Sequence, residues 1–359
     1  MQKRIEWLDS IKGFAMIMVV LGHCGTNNFF YTALYNIHLP LFISVSGYLL
    51  AIKNESNSKI SKSIFQFFKA LMYPYFGLGI ATLVYHYFVH IMYGTGFNLK
   101  DEIWLILIFE NGANWFLPVL FFSKCICYVA FKSFRKTKYK ILIFALVSAL
   151  ISWIIKKVVI FYSLETLQGS NLFDRSLYMW IVLVGKVGVF CYFIAIGYFL
   201  YIIKCNSVLT EFIARSKQYF KILLPILSLM IILIGCFSPM VDLHYNKWEK
   251  TIPFFLVSTL AVIFIIVTFE FLNIHGRILT WIGSKSLVIN GTHLNFDLVN
   301  ISSKLISDIM PFASNIYTVT PFVITLFVFL FEVIFMVPCI TKVFPYIISL
   351  PRKSKKNIS

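Results

Sequence analysis

Charge is scarce in this sequence, and acidic charge is scarcer still. Charged residues make up 13% of the 359 positions, with 15 acidic against 32 basic side chains, while 59% of the residues are hydrophobic. A soluble globular domain carries about 25% charged residues. The composition therefore excludes a soluble domain and predicts an integral membrane protein.

The sequence also lacks a soluble segment or a basic face long enough to bind nucleic acid. Its net charge is +17, but the basic residues occur in short clusters between apolar runs. Such clusters are typical of cytoplasmic loops and of contact with anionic lipid headgroups. We therefore expect membrane lipid as a partner and no nucleic acid.

Paired cysteine motifs are absent as well. The seven cysteines lie in or beside apolar runs without any Cys-x-x-Cys spacing, which argues against a disulfide framework and a structural zinc site. His86 and His90 share a helical face, but packing is favoured over metal binding because they have no third ligand. We expect no metal.

Apolar runs long enough to cross a bilayer are abundant. A spanning helix needs about 17 to 25 residues, and such runs fall at 14–30, 37–52, 70–92, 115–131, 140–160, 179–203, 222–238, 252–272, 282–300 and 320–344. The run 103–109 is too short and is predicted to be re-entrant or interfacial. The predicted fold is an all-α, polytopic bundle of about ten spans over residues 1–345, followed by a basic cytoplasmic tail at 346–359.

The distribution of lysine and arginine predicts the orientation. With the N terminus inside, most of the 32 basic residues fall in cytoplasmic segments, as the positive-inside rule requires. Both termini are therefore predicted to be cytoplasmic, and the number of spans is predicted to be even. We expect the protein in the inner or plasma membrane of the cell.

The first span carries a polar stripe. Lys12 and His23 are eleven residues apart, which places them about 20° apart around a helix and roughly 16 Å apart along it. Asp9, Met16 and Val19 lie on the same stripe. Ionisable side chains inside a membrane usually face a bundle interior or a wet cavity and serve a function. The alternative is that His23 only hydrogen-bonds between helices.

Two segments of the N-terminal region resemble a known family. The segment RIEWLDSIKGFAMIMVVLGH, followed by NIHLPLFISVSGYLL, is similar to the start of membrane-bound acyltransferase family 3, and within it to the fucose 4-O-acetylase-like branch. The family pattern corresponds here to Lys12, His23, His38, Pro40, Leu41, Phe42, Ser46 and Gly47. The family's Arg-x-x-Arg pair corresponds to Gln66 and Lys69, so half of its charge is retained.

The resemblance implies an enzyme that transfers an acyl group, most commonly acetyl. The implied donor is cytoplasmic acetyl-CoA, and the implied acceptor is a hydroxyl of a cell-surface polysaccharide or of its lipid-linked precursor. Lys12, Lys62 and Lys69 offer positive charge for the donor's phosphates. His23 is the first candidate for a general base, although it could also accept the acyl group itself. Asp9, beside Lys12, completes this part of the candidate site.

His38 and Ser46 follow in the second span. His38 is predicted to begin that span at the outer side, with Pro40 in the first turn, where proline is tolerated. It is a candidate for substrate binding, and the alternative is a capping or interfacial histidine. Ser46 is a candidate for substrate binding too, or for a nucleophile next to Gly47, but close helix packing at Ser46 and Gly47 is favoured.

Polar residues also occur in the ninth span and before the fourth. His293 is a candidate catalytic residue, and Asp297 could orient it across one helical turn; the alternative is polar contact between helices. Glu110, Asn111, Asn114 and Trp115 could hold a sugar at the outer edge, although an interfacial aromatic belt explains a single tryptophan equally well.

Intramembrane polar residues are also expected of a transporter or flippase of lipid-linked sugars, which is the alternative function. Such a protein usually has inverted-repeat halves with broken, paired helices. The sequence shows no internal repeat, which favours the transferase. A glycan polymerase would need longer, more highly charged outer loops.

Overall fold

The structure is a computed structural model that describes residues 5–25, 28–54, 59–134, 137–169, 172–205, 217–244, 247–309 and 319–349. Residues 350–359, which form most of the predicted basic tail, lie outside the described residues. Nearly all of the described chain is helical, as the sequence predicted.

The helices are α1 Glu6–His23, α2 Asn28–Asn54, α3 Ile60–Phe67, α4 Tyr73–Tyr93, α5 Leu99–Leu107, α6 Phe116–Ser133, α7 Tyr139–Phe161, α8 Leu172–Lys204, α9 Lys217–Cys236, α10 Thr251–Phe271, α11 Arg277–Thr292, α12 Leu298–Ile309 and α13 Thr320–Phe331. Short π-helical segments cover Phe68–Met72, Glu332–Met336 and Cys339–Val343, and 3-10 segments cover Gly112–Trp115, Leu164–Gly169 and Pro345–Ile347. Between α9 and α10, β1 Val241–Asp242 and β2 Lys247–Trp248 form an antiparallel ribbon that pairs Val241 with Trp248.

Eight helical segments of the described chain are long and apolar enough to cross a membrane. They are Phe30–Lys53, Ile60–Tyr93, Leu99–Ser133, Tyr139–Phe161, Leu172–Lys204, Gln218–Cys236, Thr251–Phe271 and Thr320–Val343. These eight segments correspond to eight of the ten predicted spans and confirm a polytopic helical bundle. The other two predicted spans overlap α1 and α11, which have 18 and 16 residues. Charged or polar residues interrupt the apolar sequence of both helices.

The eight segments differ in how much of their surface other helices cover. In the 18-residue apolar windows, 72% of residues are buried in α8 but only 22% in α7. Leu146 of α7 is 67% exposed. Because a large apolar side chain is stable in lipid without a protein partner, α7 is a peripheral helix and α8 a central one.

Pairs of glycines allow two helix crossings in the centre of the bundle. A Cβ atom on Gly13 of α1 would lie 2.0 Å from the carbonyl oxygen of Leu279, and one on Gly283 of α11 would lie 1.8 Å from that of Asp9. Gly47 of α2 meets α8 in the same way, 2.0 Å from the carbonyl oxygen of Ile194. Small residues let membrane helices approach this closely. The crossing of α1 and α11 positions the site.

The structure corrects the predicted start of the second span. Helix α2 begins at Asn28, so Pro40 lies in its interior and not in the first turn. Proline has no amide hydrogen to give to the carbonyl of Asn36, four residues earlier. The hydroxyl of Ser258 on α10 donates to that carbonyl instead, at 2.6 Å, and so allows the helix to continue through the proline.

The structure also shortens the predicted first span and shows what the short apolar run 103–109 forms. Helix α1 ends at His23, seven residues before the predicted end at 30, and a separate helix, α2, begins at Asn28. The run 103–109 belongs largely to α5, a separate helix of nine residues. Such a helix is too short to cross a bilayer.

Candidate active site

Two adjoining cavities lie inside the bundle. We call the first, of about 390 Å³, the histidine cavity, because its histidine and acidic lining residues are His23, His38, His86, Glu102, Asp242, His244 and His293. We call the second, of about 230 Å³, the lysine cavity, because Lys12 and Lys124 line it. Four side chains line both cavities, namely those of Val19, Leu39, Phe116 and Asn290. The two cavities therefore meet at a shared wall.

Helix α1 presents its polar stripe to both cavities. Lys12 lines the lysine cavity, His23 lines the histidine cavity, and Val19 between them lines both. Asp9 is buried, and its carboxylate pairs with the Lys12 ammonium at 2.5 Å. The ion pair fixes Lys12 near one end of the stripe, and His23, at the other end, is the last residue of α1.

Two imidazole rings, one from the last residue of α1 and one from the residue that follows α11, lie side by side in the histidine cavity. The ring centroids of His23 and His293 are 5.4 Å apart, at an interplanar angle of 45°. His293 is fully buried; its Nδ1 bonds to the carbonyl of Ile289 at 2.8 Å, and its Nε2 has no hydrogen-bond partner within the described chain. His23 is only partly buried. It is therefore the more accessible imidazole of the pair.

The predicted pairing of His293 with Asp297 is wrong. Helix α11 ends at Thr292, so the two residues are not one helical turn apart. Asp297 adopts a left-handed backbone conformation, with φ of 54°, and its carboxylate accepts hydrogen bonds from Tyr85 and Asn300, both at 3.4 Å. The carboxylate therefore belongs to the turn after α11.

His38 lies in the interior of α2 and lines the histidine cavity. It is 3% exposed, and its Nδ1 bonds to the carbonyl of Leu34. Tyr35 packs edge-on against His38 at 5.0 Å and against His23 at 6.1 Å. Tyr35 thus bridges the two histidines, a contact that the sequence did not predict.

The turn that carries Trp115 is held by polar residues of α11 and of the segment after it. Asn290 donates to the carbonyl of Ala113 at 3.2 Å, and the amide of Ala113 donates to Asn295 at 2.9 Å. Gly112 has a φ of 47°, and a Cβ there would lie 2.3 Å from the amide oxygen of Asn295. Only glycine fits this position without strain.

Trp115 and Asn114 occupy different places. Trp115 lines the histidine cavity. The side chain of Asn114 is fully buried, lines neither cavity, and has no hydrogen-bond partner among residues the structure describes. The structure therefore does not bring Asn114 to the surface that a substrate would meet. Asn111, from the same segment, does line the cavity.

Glu110 lies behind the cavity wall, where it joins a buried cluster. Its carboxylate pairs with Lys186 of α8 at 2.7 Å and with Nε2 of His244 at 2.8 Å. His244 stacks almost parallel on Trp115, with centroids 5.2 Å apart and an angle of 13°. The Lys186 ammonium lies 4.8 Å from the centre of the Trp115 ring. Glu110 therefore contacts residues of the wall and not the cavity itself.

Ser46 and Lys69 are also separated by the fold. Ser46 lines the lysine cavity. Lys69 lines neither cavity; it is exposed, and its ammonium lies 4.3 Å from the centre of the Phe65 ring. Lys124, which was not predicted from the sequence, supplies the second cation of the lysine cavity. Its position inside an apolar run was the signal that could have found it.

A buried carboxyl group is hydrogen-bonded to the residue that precedes His293 in the chain. Glu332 is fully buried, and Thr292, the residue before His293, donates to it at 2.5 Å. A π-helical segment begins at Glu332, and such segments are frequent at functional sites. Neither this residue nor the Asp242 and His244 of the ribbon was selected from sequence.

Within the described residues, no group of three or more His, Cys, Asp or Glu side chains is arranged to hold a metal ion. His86 instead bonds to the carboxylate of Glu102 at 3.1 Å. The imidazoles of the histidine cavity are available for proton transfer, and the lysines of the other cavity for binding an anion.

The bundle and its internal cavities define a multi-pass membrane protein with a polar site inside its helices. A family model described as Acyltransferase domain matches residues 5–341. The chain therefore belongs to acyltransferase family 3 and is a membrane acyltransferase. A search of curated proteins and a search of solved structures each found no match.

Proposed function

We propose that the protein is an O-acetyltransferase of the inner or plasma membrane, with both termini in the cytoplasm. In this proposal the acetyl group passes from cytoplasmic acetyl-CoA to a hydroxyl of a cell-surface polysaccharide or of its lipid-linked precursor. The N-terminal motif supports the fucose 4-O-acetylase-like branch of the family. The observation that carries the proposal is the meeting of a lysine cavity and a histidine cavity beside one helix.

The lysine cavity fits the donor. Lys12 and Lys124 line it, and ammonium groups bind phosphate as point charges. The other lining side chains are largely apolar, among them Leu71 and Leu117, and suit the long, narrow pantetheine arm. A thioester that reached the shared wall at Val19 and Asn290 would lie next to the histidine cavity.

The histidine cavity fits the acceptor and the chemistry. His23 would take the proton of the acceptor hydroxyl as its oxygen attacks the thioester carbonyl. The carbon–sulfur bond then breaks, and the departing thiolate receives the proton from His23. His293 packs beside His23, its Nε2 has no hydrogen-bond partner among the described residues, and it would share in holding this proton. Transfer through an acetylated His23 is the alternative route.

Acetyl transfer in isolated membranes tests the proposal. Membranes containing the protein would be incubated with radiolabelled acetyl-CoA and purified cell-surface polysaccharide. We expect label in the polysaccharide, and a loss of at least about 10²-fold with His23→Ala, as is typical for removal of a general base. The matched control is His90→Ala, because His90 lines neither cavity.

Two outcomes would contradict the proposal. Incorporation that survives His23→Ala, with protein levels unchanged, would remove His23 from the mechanism. Absence of incorporation by the intact protein, together with loss of glycan export in cells that lack it, would favour the transporter.

A further inference from the structure

The buried pair of Glu110 and Lys186 is expensive for the fold to maintain. The Lys186 side chain is 1% exposed and that of Glu110 is 7% exposed. Burying two charges carries a large desolvation penalty, and an apolar pair of similar volume is often equally stable or more stable. The ion pair therefore calls for an explanation other than stability alone.

The Glu110–Lys186 pair also contacts His244, which lines the candidate acceptor cavity. One Glu110 oxygen accepts from Lys186, and the other contacts Nε2 of His244 at 2.8 Å. A carboxylate held by an ammonium group can only accept hydrogen bonds, so Nε2 of His244 must carry a proton. The contact therefore fixes both the protonation of that nitrogen and the plane of the ring.

Fixing the ring of His244 also fixes a flat wall. His244 and Trp115 stack nearly in parallel and both line the histidine cavity. The backbone amide of His244 donates to the carboxylate of Asp242 at 2.8 Å, and Asp242 lines the same cavity. Aromatic faces pack against the C–H face of a sugar ring, because their π surface is negative and the C–H groups are slightly positive.

We propose that His244, stacked on Trp115, binds the acceptor sugar, and that Glu110 and Lys186 are positioning residues that hold this wall. The inference rests on the proposed function, since it assigns the acceptor to the histidine cavity. It gives the β1–β2 ribbon a role in recognising a sugar ring, while the chemistry stays at His23 of α1, which lines the same cavity.

Two double variants differ only in the side chain at position 110, which contacts Nε2 of His244. Glu110→Gln with Lys186→Met removes both charges and keeps an oxygen that accepts from Nε2. Glu110→Leu with Lys186→Met removes the charges and that oxygen. Neither variant leaves a single unpaired charge, which would be strongly destabilising. The matched control is Glu270→Gln, in a second Lys–Glu pair whose members line neither cavity.

The assay measures KM for purified cell-surface polysaccharide and, separately, KM for acetyl-CoA. We expect the Leu/Met variant to raise the polysaccharide KM at least about tenfold over the Gln/Met variant, with KM for acetyl-CoA unchanged in both. This fold-change corresponds to about 1.4 kcal/mol of binding. The same polysaccharide KM in both double variants, at wild-type protein levels, would overturn the inference.

A single variant keeps the inference testable if the Leu/Met protein does not accumulate. His244→Ala removes the ring and should raise the polysaccharide KM at least about tenfold; an unchanged value would overturn the inference. Failure here is distinguishable from failure of the proposed function, because acetyl transfer by the intact protein that depends on His23 would persist.

Discussion

Gly283 lies where the backbones of α1 and α11 cross, and a methyl group there tests whether this crossing positions the site. The Cβ of Gly283→Ala would lie 1.8 Å from the carbonyl oxygen of Asp9, whereas ordinary contact begins at 3.4 Å. The obstacle is backbone, which cannot rotate away. The helices must therefore separate locally by about 1.6 Å, the difference between these two distances.

Separation of α1 from α11 acts on both stability and chemistry. Overpacking of this kind typically costs about 1–3 kcal/mol of stability. His23 is the last residue of α1 and His293 directly follows α11, and a misplacement of about 1 Å can reduce a catalysed rate about 10²-fold. We expect Gly283→Ala to insert into the membrane and to lose acetyl transfer by about that factor.

The assay is acetyl transfer to polysaccharide, normalised to the amount of protein in the membrane, with thermal unfolding in detergent as the second readout. Gly276→Ala, at the N-cap of α11, is the control, because nothing lies within 4 Å of its added Cβ. Wild-type transfer and wild-type unfolding temperature in Gly283→Ala would refute the role assigned to the crossing.

Three further predictions concern residues placed by the structure. Ser258→Ala leaves the carbonyl of Asn36 without a donor in the membrane interior, and should lower stability by about 1–3 kcal/mol in thermal unfolding; an unchanged unfolding temperature would contradict it. Lys124→Ala should raise KM for acetyl-CoA several-fold, whereas Lys69→Ala should not; equal effects would reject the lysine cavity as the donor site. Glu332→Gln keeps an acceptor for the hydroxyl of Thr292 and should be purified in wild-type yield. Glu332→Ala should lower the free energy of unfolding by about 2 kcal/mol or more, because it leaves a cavity and breaks that hydrogen bond. Equal stability of the two Glu332 variants would count against that contact.

The class of fold was predictable because it depends on composition and local pattern. Apolar runs of spanning length leave a helical bundle as the stable solution in lipid. The common face of Lys12 and His23 was equally predictable, because the period of an α-helix relates any two residues on it. Val19, between them, lines both cavities.

Predictions failed where a helix boundary depended on a distant residue. Proline normally weakens a helix at its own position, and the sequence around Pro40 therefore indicated a helix start. The donor that allows α2 to continue is Ser258, more than two hundred residues away. Likewise, the spacing of His293 and Asp297 implied a contact that the end of α11 at Thr292 removes.

The sequence by itself thus determined a helical membrane protein, the polar stripe of α1 and the motif of its family. Tertiary structure alone decided which polar groups meet: His23 with His293, and Glu110 with Lys186 and His244. The physical reason is that such contacts depend on how closely and at what angle whole helices cross. Periodicity along one helix carries no information about that crossing.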